Sequence, residues 1–288
     1  MPATRFEDYK DKYEHIKLER DADGILLVTL HTDGSDVHFG LPVHDNLTAV
    51  WGDIGRDPEN RVIILTGAGD TFIDKLIPET DKNWVTPEIW MHLHAEAKRL
   101  VLDHLEVEVP MIAAVNGPAR IHNEQALLCD IVIASEDAVF SDNSHFPAGV
   151  VPGDGMQIIW PLVAGFNRGR YHLLTGEELD AKTALEWGVV NEVVPKDQVV
   201  ARAYELARKI AEKPTLTLRA TRMLLVNELK KLMIQGVSHG MMTEGLVAIG
   251  AGWKPTPLPE TGSNPRSTGT KGDDPRKAYA SAPAGTAR

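Results

Sequence analysis

The chain has one cysteine, Cys129, in 288 residues, which excludes an intrachain disulfide and fits a reducing compartment. Long apolar runs are missing as well, so no segment reads as a membrane-spanning helix. The N-terminal stretch MPATRFEDYKDKYEHIKLERD has no apolar signal core, and the expectation is a soluble, cytoplasmic protein without membrane contacts. Basic charge is in deficit: 30 Lys and Arg stand against 41 Asp and Glu, a formal net charge of −11. Phosphate backbones are held by clustered Lys and Arg, so nucleic acid is not an expected partner. Nothing repeats at a fixed period. What remains, 43% hydrophobic and 25% charged residues, is the ordinary make-up of a globular protein with one or two domains.

Apolar runs at Gly24–Leu30, Arg61–Thr66, Met111–Val115 and Ile131–Ala134 predict strands, each closed by glycine, proline or polar turn residues. Spacings of three to four residues predict helices over 43–57 and from Pro87 to about His104, with His92, His94 and His104 on the wet side or the edges of the second. A short helix is expected at Asn123–Leu128. Further helices are expected at 155–164, 168–174, 180–187, 196–212 and 215–235, with another near 238–250, and Val189–Val194 extended between them. Strands alternating with helices imply an α/β protein with a largely parallel sheet. Beyond Lys254 the chain offers little to bury, so 254–288 reads as a disordered tail.

The stretch FSDNSHFPAGVVPGDG, Phe140–Gly155, is too rich in Gly and Pro for a helix or strand interior. It reads as a rigid loop carrying His145 and Asp154. Folded back, the loop would let Asp154 accept one imidazole N–H and leave the other nitrogen free to deprotonate water. The alternative is a surface histidine and an aspartate capping the next helix.

Five blocks in order carry a family resemblance: RVIILTGAGDTF, VPMIAAVNGPA, LLCDIVIASEDAVF, GVVPGDG and LLTGEELDAKTALEWGVVNEVVP. They resemble the crotonase (enoyl-CoA hydratase/isomerase) superfamily over residues 16–250. The resemblance implies a crotonase (ClpP-like) fold of repeated ββα units in two nearly perpendicular sheets. Residues 1–195 would form the core, 196–253 a helical region completing the site and a trimer or dimer of trimers. Two departures stand out. Arg120-Ile121-His122-Asn123 replaces the family's glycine run, and Ile73-Asp74-Lys75-Leu76 replaces the other half of its thioester oxyanion hole. With VHDNL, His122, SHFPAGVVPGDG and FNRGRYHLLTGEELDA, they resemble the β-diketone hydrolase branch, which includes 6-oxocamphor hydrolase.

That resemblance implies hydrolysis of the C–C bond between two carbonyls, without cofactor or metal, because the second carbonyl is the electron sink. The functional set it implies is His44, His122, His145, Asp154 and Glu244. His145 is expected to be the base and Asp154 its orienting partner. His122 would donate to a carbonyl or enolate oxygen in place of the lost backbone amides, or simply cap a helix. Glu244 would pair with a histidine and relay a proton, or sit exposed on its helix; His44 would orient substrate or lie on the surface. Phe39 stands where the branch has a tryptophan. Phe39, Trp84 and Trp90 are expected to bind an apolar cyclic diketone, although Trp84 and Trp90 would equally serve core or trimer packing. Glu124 is expected to be a structural remnant and Cys129 inert core. A coenzyme A thioester hydratase or isomerase is the competing enzyme reading, and an assembly or RNA-binding protein the non-enzymatic one.

Overall fold

The computed structural model describes residues 3–77 and 85–252; Trp84 and the 254–288 tail lie outside the described residues. In chain order the elements are α1 (Phe6–Tyr9), β1 (Ile16–Arg20), β2 (Ile25–Leu30), β3 (His38–Phe39), α2 (Leu41–Arg56), β4 (Val62–Gly67) and β5 (Lys75–Leu76). There follow α3 (Pro87–Glu106), β6 (Met111–Val115), α4 (Glu124–Leu127), β7 (Ile131–Ser135), β8 (Val139–Phe140), α5 (Met156–Val163) and α6 (Phe166–Thr175). The last are β9 (Leu179–Asp180), α7 (Ala181–Trp187), β10 (Glu192–Val194), α8 (Val199–Ala211) and α9 (Thr215–Ala251).

The main sheet has the order β1-β2-β4-β6-β7-β10. All its pairings are parallel except β1 with β2. Every residue of β4 and β6 is buried, the continuous apolar reading of strands covered on both faces. On one face Ile25, Val62, Ile64, Ile112 and Ile133 pack against Val199, Ala203 and Ala207 of α8. Their alternates Leu26, Ile63, Leu65 and Ala113 are equally buried on the other. β1 is not among the strands expected from the sequence. Its alternation, Ile16 and Leu18 inward with Lys17 and Glu19 outward, spans five residues inside a charged segment.

Past the carboxyl ends of β4 and β6 the chain enters short pairings that position everything below. β3 lies parallel to β5, Ile73 bridges Ala119, Ala119 bridges Phe140, and β8 pairs with β9. Three of these segments run directly into histidines: β3 into α2 with His44, Ala119 into His122, and β8 into the loop of His145. One ladder therefore sets the three rings side by side.

Thr86 accepts a hydrogen bond from the Ile89 N–H and Pro87 occupies the first turn, starting α3 as expected. His104 corrects the expectation of a wet-side residue. It is fully buried, edge-on to Trp51 with ring centroids 4.6 Å apart and 3.8 Å from Cys129 Sγ. α9 is one helix of 37 residues, where a break between two helices was expected near 235–238. Its glycines do not break it because neighbours need the space. Gly240 lies against the Gly153 backbone and Gly245 against the Trp90 indole, contacts a Cβ would obstruct. No described helix is long and apolar enough to cross a membrane.

Candidate active site

His145 opens a one-turn 3-10 helix, Phe146–Ala148, that Gly149 ends in the left-handed region at φ 89°. This turn folds the loop back as the Gly- and Pro-rich sequence suggests. His145 is 5% exposed. Its Nδ1 lies 2.6 Å from Asp142 Oδ1, a charge-assisted hydrogen-bond distance. Its Nε2 lies 3.6 Å from both Asp154 Oδ2 and Glu244 Oε1. The expected division of labour is thereby corrected: the carboxylate on Nδ1 is Asp142, fully buried, and Asp154 faces the opposite nitrogen. Burial alone would push the His145 pKa down, but Asp142, Asp154 and Glu244 hold it well above the usual histidine value.

His122 has a left-handed backbone, φ 44°, which histidine tolerates better than a β-branched residue would. Its Nδ1 lies 2.9 Å from Glu124 Oε1 and 3.4 Å from Asp154 Oδ2. Phe39 stacks on its ring at 4.2 Å between centroids and 27° between planes, and His44 meets it edge-on at 4.8 Å. Burial opposes protonation of His122, yet Glu124 and Asp154 raise its pKa. His44 has no such partner. Its buried Nδ1 makes no hydrogen bond among the described residues, and burial lowers its pKa well below the usual value, so the ring is neutral.

Asp154 joins the two basic histidines. Its Oδ1 accepts from the Met156 N–H at 3.3 Å, so it also serves the start of α5, as the capping alternative has it. Burial, with Glu124 and Asp142 nearby, raises its pKa. Glu244, on α9, is 6% exposed and accepts from the Gly153 N–H at 3.1 Å. Burial is the main cause that lifts its pKa to about 8, so it carries a proton at neutral pH.

These groups open on a cavity of about 400 Å³. Its polar lining is His44, His122, Ser144, His145, Asp154 and Glu244; Phe39, Leu41, Pro42, Leu76, Ile77, Trp90, Leu93, Ala97 and Met241 supply apolar walls. Trp90 donates its indole N–H to the Met241 carbonyl at 2.7 Å, tying α3 to α9 and leaving only ring surface for the cavity. Hence all five residues expected to act, together with Phe39 and Trp90, surround one space.

Two residues escaped the sequence reasoning. Asp142 sits three residues before His145 in a loop with few other charges, a signal of proximity without direction. Glu124, expected to be a remnant, is 1% exposed and is the nearest partner of His122. The two departures from the thioester pattern also prove to be one feature. Arg120 clamps Asp74 through both carboxylate oxygens at 3.0 Å and holds Glu178 at 2.6 Å. The Ile121 N–H on the same turn donates to the Ile73 carbonyl.

The sequence profile of the enoyl-CoA hydratase/isomerase family matches residues 20–243. The chain belongs to that family. It is an enzyme of the crotonase superfamily with the crotonase fold. Among solved structures it is similar to a β-diketone hydrolase from the cyanobacterium Anabaena sp. PCC 7120 bound to (S)-3-oxocyclohexyl acetic acid. The two are 43% identical with a TM-score of 0.82, over 85% of this chain and 98% of that one. An enoyl-CoA hydratase/isomerase from Mycobacterium paratuberculosis is 27% identical with a TM-score of 0.77, over 83% and 95%. Among characterised relatives, 1,2-epoxyphenylacetyl-CoA isomerase of Escherichia coli is 32% identical over 68% of this crotonase and 76% of its own length.

Proposed function

We propose that this crotonase hydrolyses a cyclic β-diketone by a retro-Claisen reaction, needing no cofactor, to give a keto acid. The observation that carries the reading is the His145 cluster. A base held by Asp142 at one nitrogen faces Asp154 and Glu244 at the other, across gaps of 3.6 Å, in an apolar cavity. A water molecule beside that pair, on the cavity side, is within reach of His145 Nε2 and Asp154 Oδ2. Its oxygen attacks one carbonyl while its proton passes to Nε2 of the neutral imidazole, the form that grows as pH rises through the raised His145 pKa, and Asp142 stabilises the imidazolium that forms.

Charge then develops on the attacked oxygen. His122 and the neutral His44 line the cavity as side-chain donors for it. Collapse of the tetrahedral adduct breaks the C–C bond, leaves a carboxylic acid, and places the electron pair on the second carbonyl as an enolate. Glu244, protonated at neutral pH and beside His145, is the proton source for the enolate carbon. His145 then returns its proton to Glu244, 3.6 Å away, so one water is consumed, one of its hydrogens ending in the carboxylic acid and the equivalent of the other on the enolate carbon. The walls suit a ring that is mostly hydrocarbon.

The test is loss of 6-oxocamphor or a 2,2-disubstituted cyclohexane-1,3-dione with chelator present and coenzyme A absent, and one ¹⁸O from labelled water in the new carboxylate. The competing reading rests on relatives named for coenzyme A substrates. Turnover of crotonyl-CoA with every diketone left intact would establish it and remove ours. We also propose a homotrimer or dimer of trimers, supported by Leu216, Leu224, Leu225 and Leu246 of α9, each more than two-thirds exposed. A monomer in sedimentation equilibrium would refute that assembly.

A further inference from the structure

The carboxylates of this site hold more acceptor capacity than the protein uses. Glu124 Oε2 and Asp154 Oδ2 are both buried and, among the described residues, accept no hydrogen bond. Buried polar atoms are normally satisfied, so two carboxylate oxygens in one place without a hydrogen bond, one of them facing His122 and His145 only at 3.4 and 3.6 Å, leave room for a ligand. Both residues flank the same nitrogen. His122 Nδ1 lies 2.9 Å from Glu124 Oε1 and 3.4 Å from Asp154 Oδ2, and one ligand atom from each of the three falls within 4.8 Å of the others. First-row divalent ions bind nitrogen and oxygen at about 2.0 to 2.2 Å, which separates adjacent ligand atoms by about 3.0 to 3.4 Å. The two separations from His122 Nδ1, 2.9 and 3.4 Å, therefore stand near those such an ion imposes, and the third lies within 4.8 Å. One imidazole nitrogen with two carboxylates suits a borderline cation. Ca²⁺ takes six or more oxygens, and Mg²⁺ keeps most of its water. His122 and Asp154 line the cavity, so water can complete the coordination.

We propose that His122, Glu124 and Asp154 form a tridentate site for a divalent transition-metal ion of the Zn²⁺ class, and that its occupation switches the hydrolytic site off. An ion on Asp154 Oδ2 takes the position of the water that the hydrolase reading places against Asp154 and His145, and it removes the Asp154 charge that faces His145 Nε2. The binding stands on geometry alone; the switch rests on the hydrolase reading. Asp45, His92 and Glu96 also bring three ligand atoms within 4.8 Å of one another, but Asp45 and His92 are exposed there, which makes that group the internal control.

The experiment titrates chelator-stripped protein with Co²⁺, a spectroscopic substitute for Zn²⁺, and follows visible absorption and diketone hydrolysis in parallel. The expected result is one ion per chain, with affinity weakened roughly tenfold or more by Glu124→Gln and separately by Asp154→Asn, and unchanged by the double variant Asp45→Asn, Glu96→Gln. Near-UV circular dichroism establishes that each variant is folded, and either one suffices for the comparison. Hydrolysis should fall over the Co²⁺ range in which absorption rises. No absorption at millimolar Co²⁺ overturns the site, as does a signal that survives Glu124→Gln and disappears in the Asp45, Glu96 variant. Glu124-dependent binding with undiminished hydrolysis overturns the switch. Glu124-dependent binding in a protein that hydrolyses no diketone supports the site and refutes the hydrolase reading instead.

Discussion

Asp142→Asn is the substitution that most directly tests the arrangement around His145. The carboxylate lies 2.6 Å from Nδ1 and is fully buried, so no water replaces its charge. The amide has nearly the same shape, so the loop has no steric reason to move. Two effects add. A hydrogen bond to a charged group, worth about 1.5–3 kcal/mol, becomes a neutral one worth about 0.5–1.5 kcal/mol. The amide also stops enforcing the tautomer with hydrogen on Nδ1, and the equivalent loss in triad enzymes reaches about 10⁴ in kcat. We expect kcat to fall by about 10² to 10⁴, which is about 2.7 to 5.4 kcal/mol of barrier, with KM changed little because Asp142 does not line the cavity. The pH profile gives a second readout. Asp142 is first among the carboxylates that raise His145 against its burial, so removing its charge lowers the His145 pKa and moves the acid limb of kcat/KM to lower pH. A folded Asp142→Asn enzyme within about threefold of the wild-type kcat, with its acid limb in place, would refute this role.

His172 is buried against Trp160 and its pKa is lowered to about 4, chiefly by burial. The unfolded chain takes up a proton below about pH 6.5 that the folded one refuses until about pH 4, so His172 contributes about 3 kcal/mol above that window and loses it as pH falls through it. Urea melts of His172→Gln should therefore show a flatter acid slope than wild type, and an unchanged slope would count against the assignment. Arg120→Ala leaves the buried Asp74 without its partner and should cost about 3 to 5 kcal/mol, while the double change to Leu at 74 and 120 should recover most of it. Gly245→Ala drives a methyl group into the Trp90 indole; we expect about 1 to 3 kcal/mol of lost stability in thermal melts and reduced kcat, because the neighbouring Glu244 moves with the helix.

The parallel strands were legible because β4 and β6 are apolar without a break, and α3 because Thr86 and Pro87 mark its start. α9 was read as two helices because glycine is a weak helix former; what holds Gly240 and Gly245 in one helix is contact with Gly153 and Trp90, remote in sequence. The His145 loop was recognisable as a rigid turn, and its Ser144, His145 and Asp154 line one cavity. Which carboxylate meets which nitrogen was not legible. Asp142 and Asp154 lie in the same loop, and only the 3-10 turn after His145 determines that Nδ1 faces Asp142 and Nε2 faces Asp154. Glu124 was undervalued because its partner is a ring turned inward by a left-handed backbone, a conformation that neighbouring residue types do not announce.

The substitutions that set this chain apart from thioester enzymes of its family come as interacting pairs. Arg120 and Asp74 clamp the two turns on which the family resemblance would place the oxyanion hole, and the Ile121 N–H is already spent on Ile73. With the Ile121 N–H engaged there, the hydrolase reading proposed above assigns polarisation of a carbonyl to side chains, and Glu124 and Phe39 are the neighbours that hold the His122 ring. Replacing His122 by glycine would therefore not restore a thioester site, because the Arg120–Asp74 clamp would still tie the turns together. It would instead leave Glu124 buried without its nearest basic partner, a cost that falls on stability before it falls on chemistry.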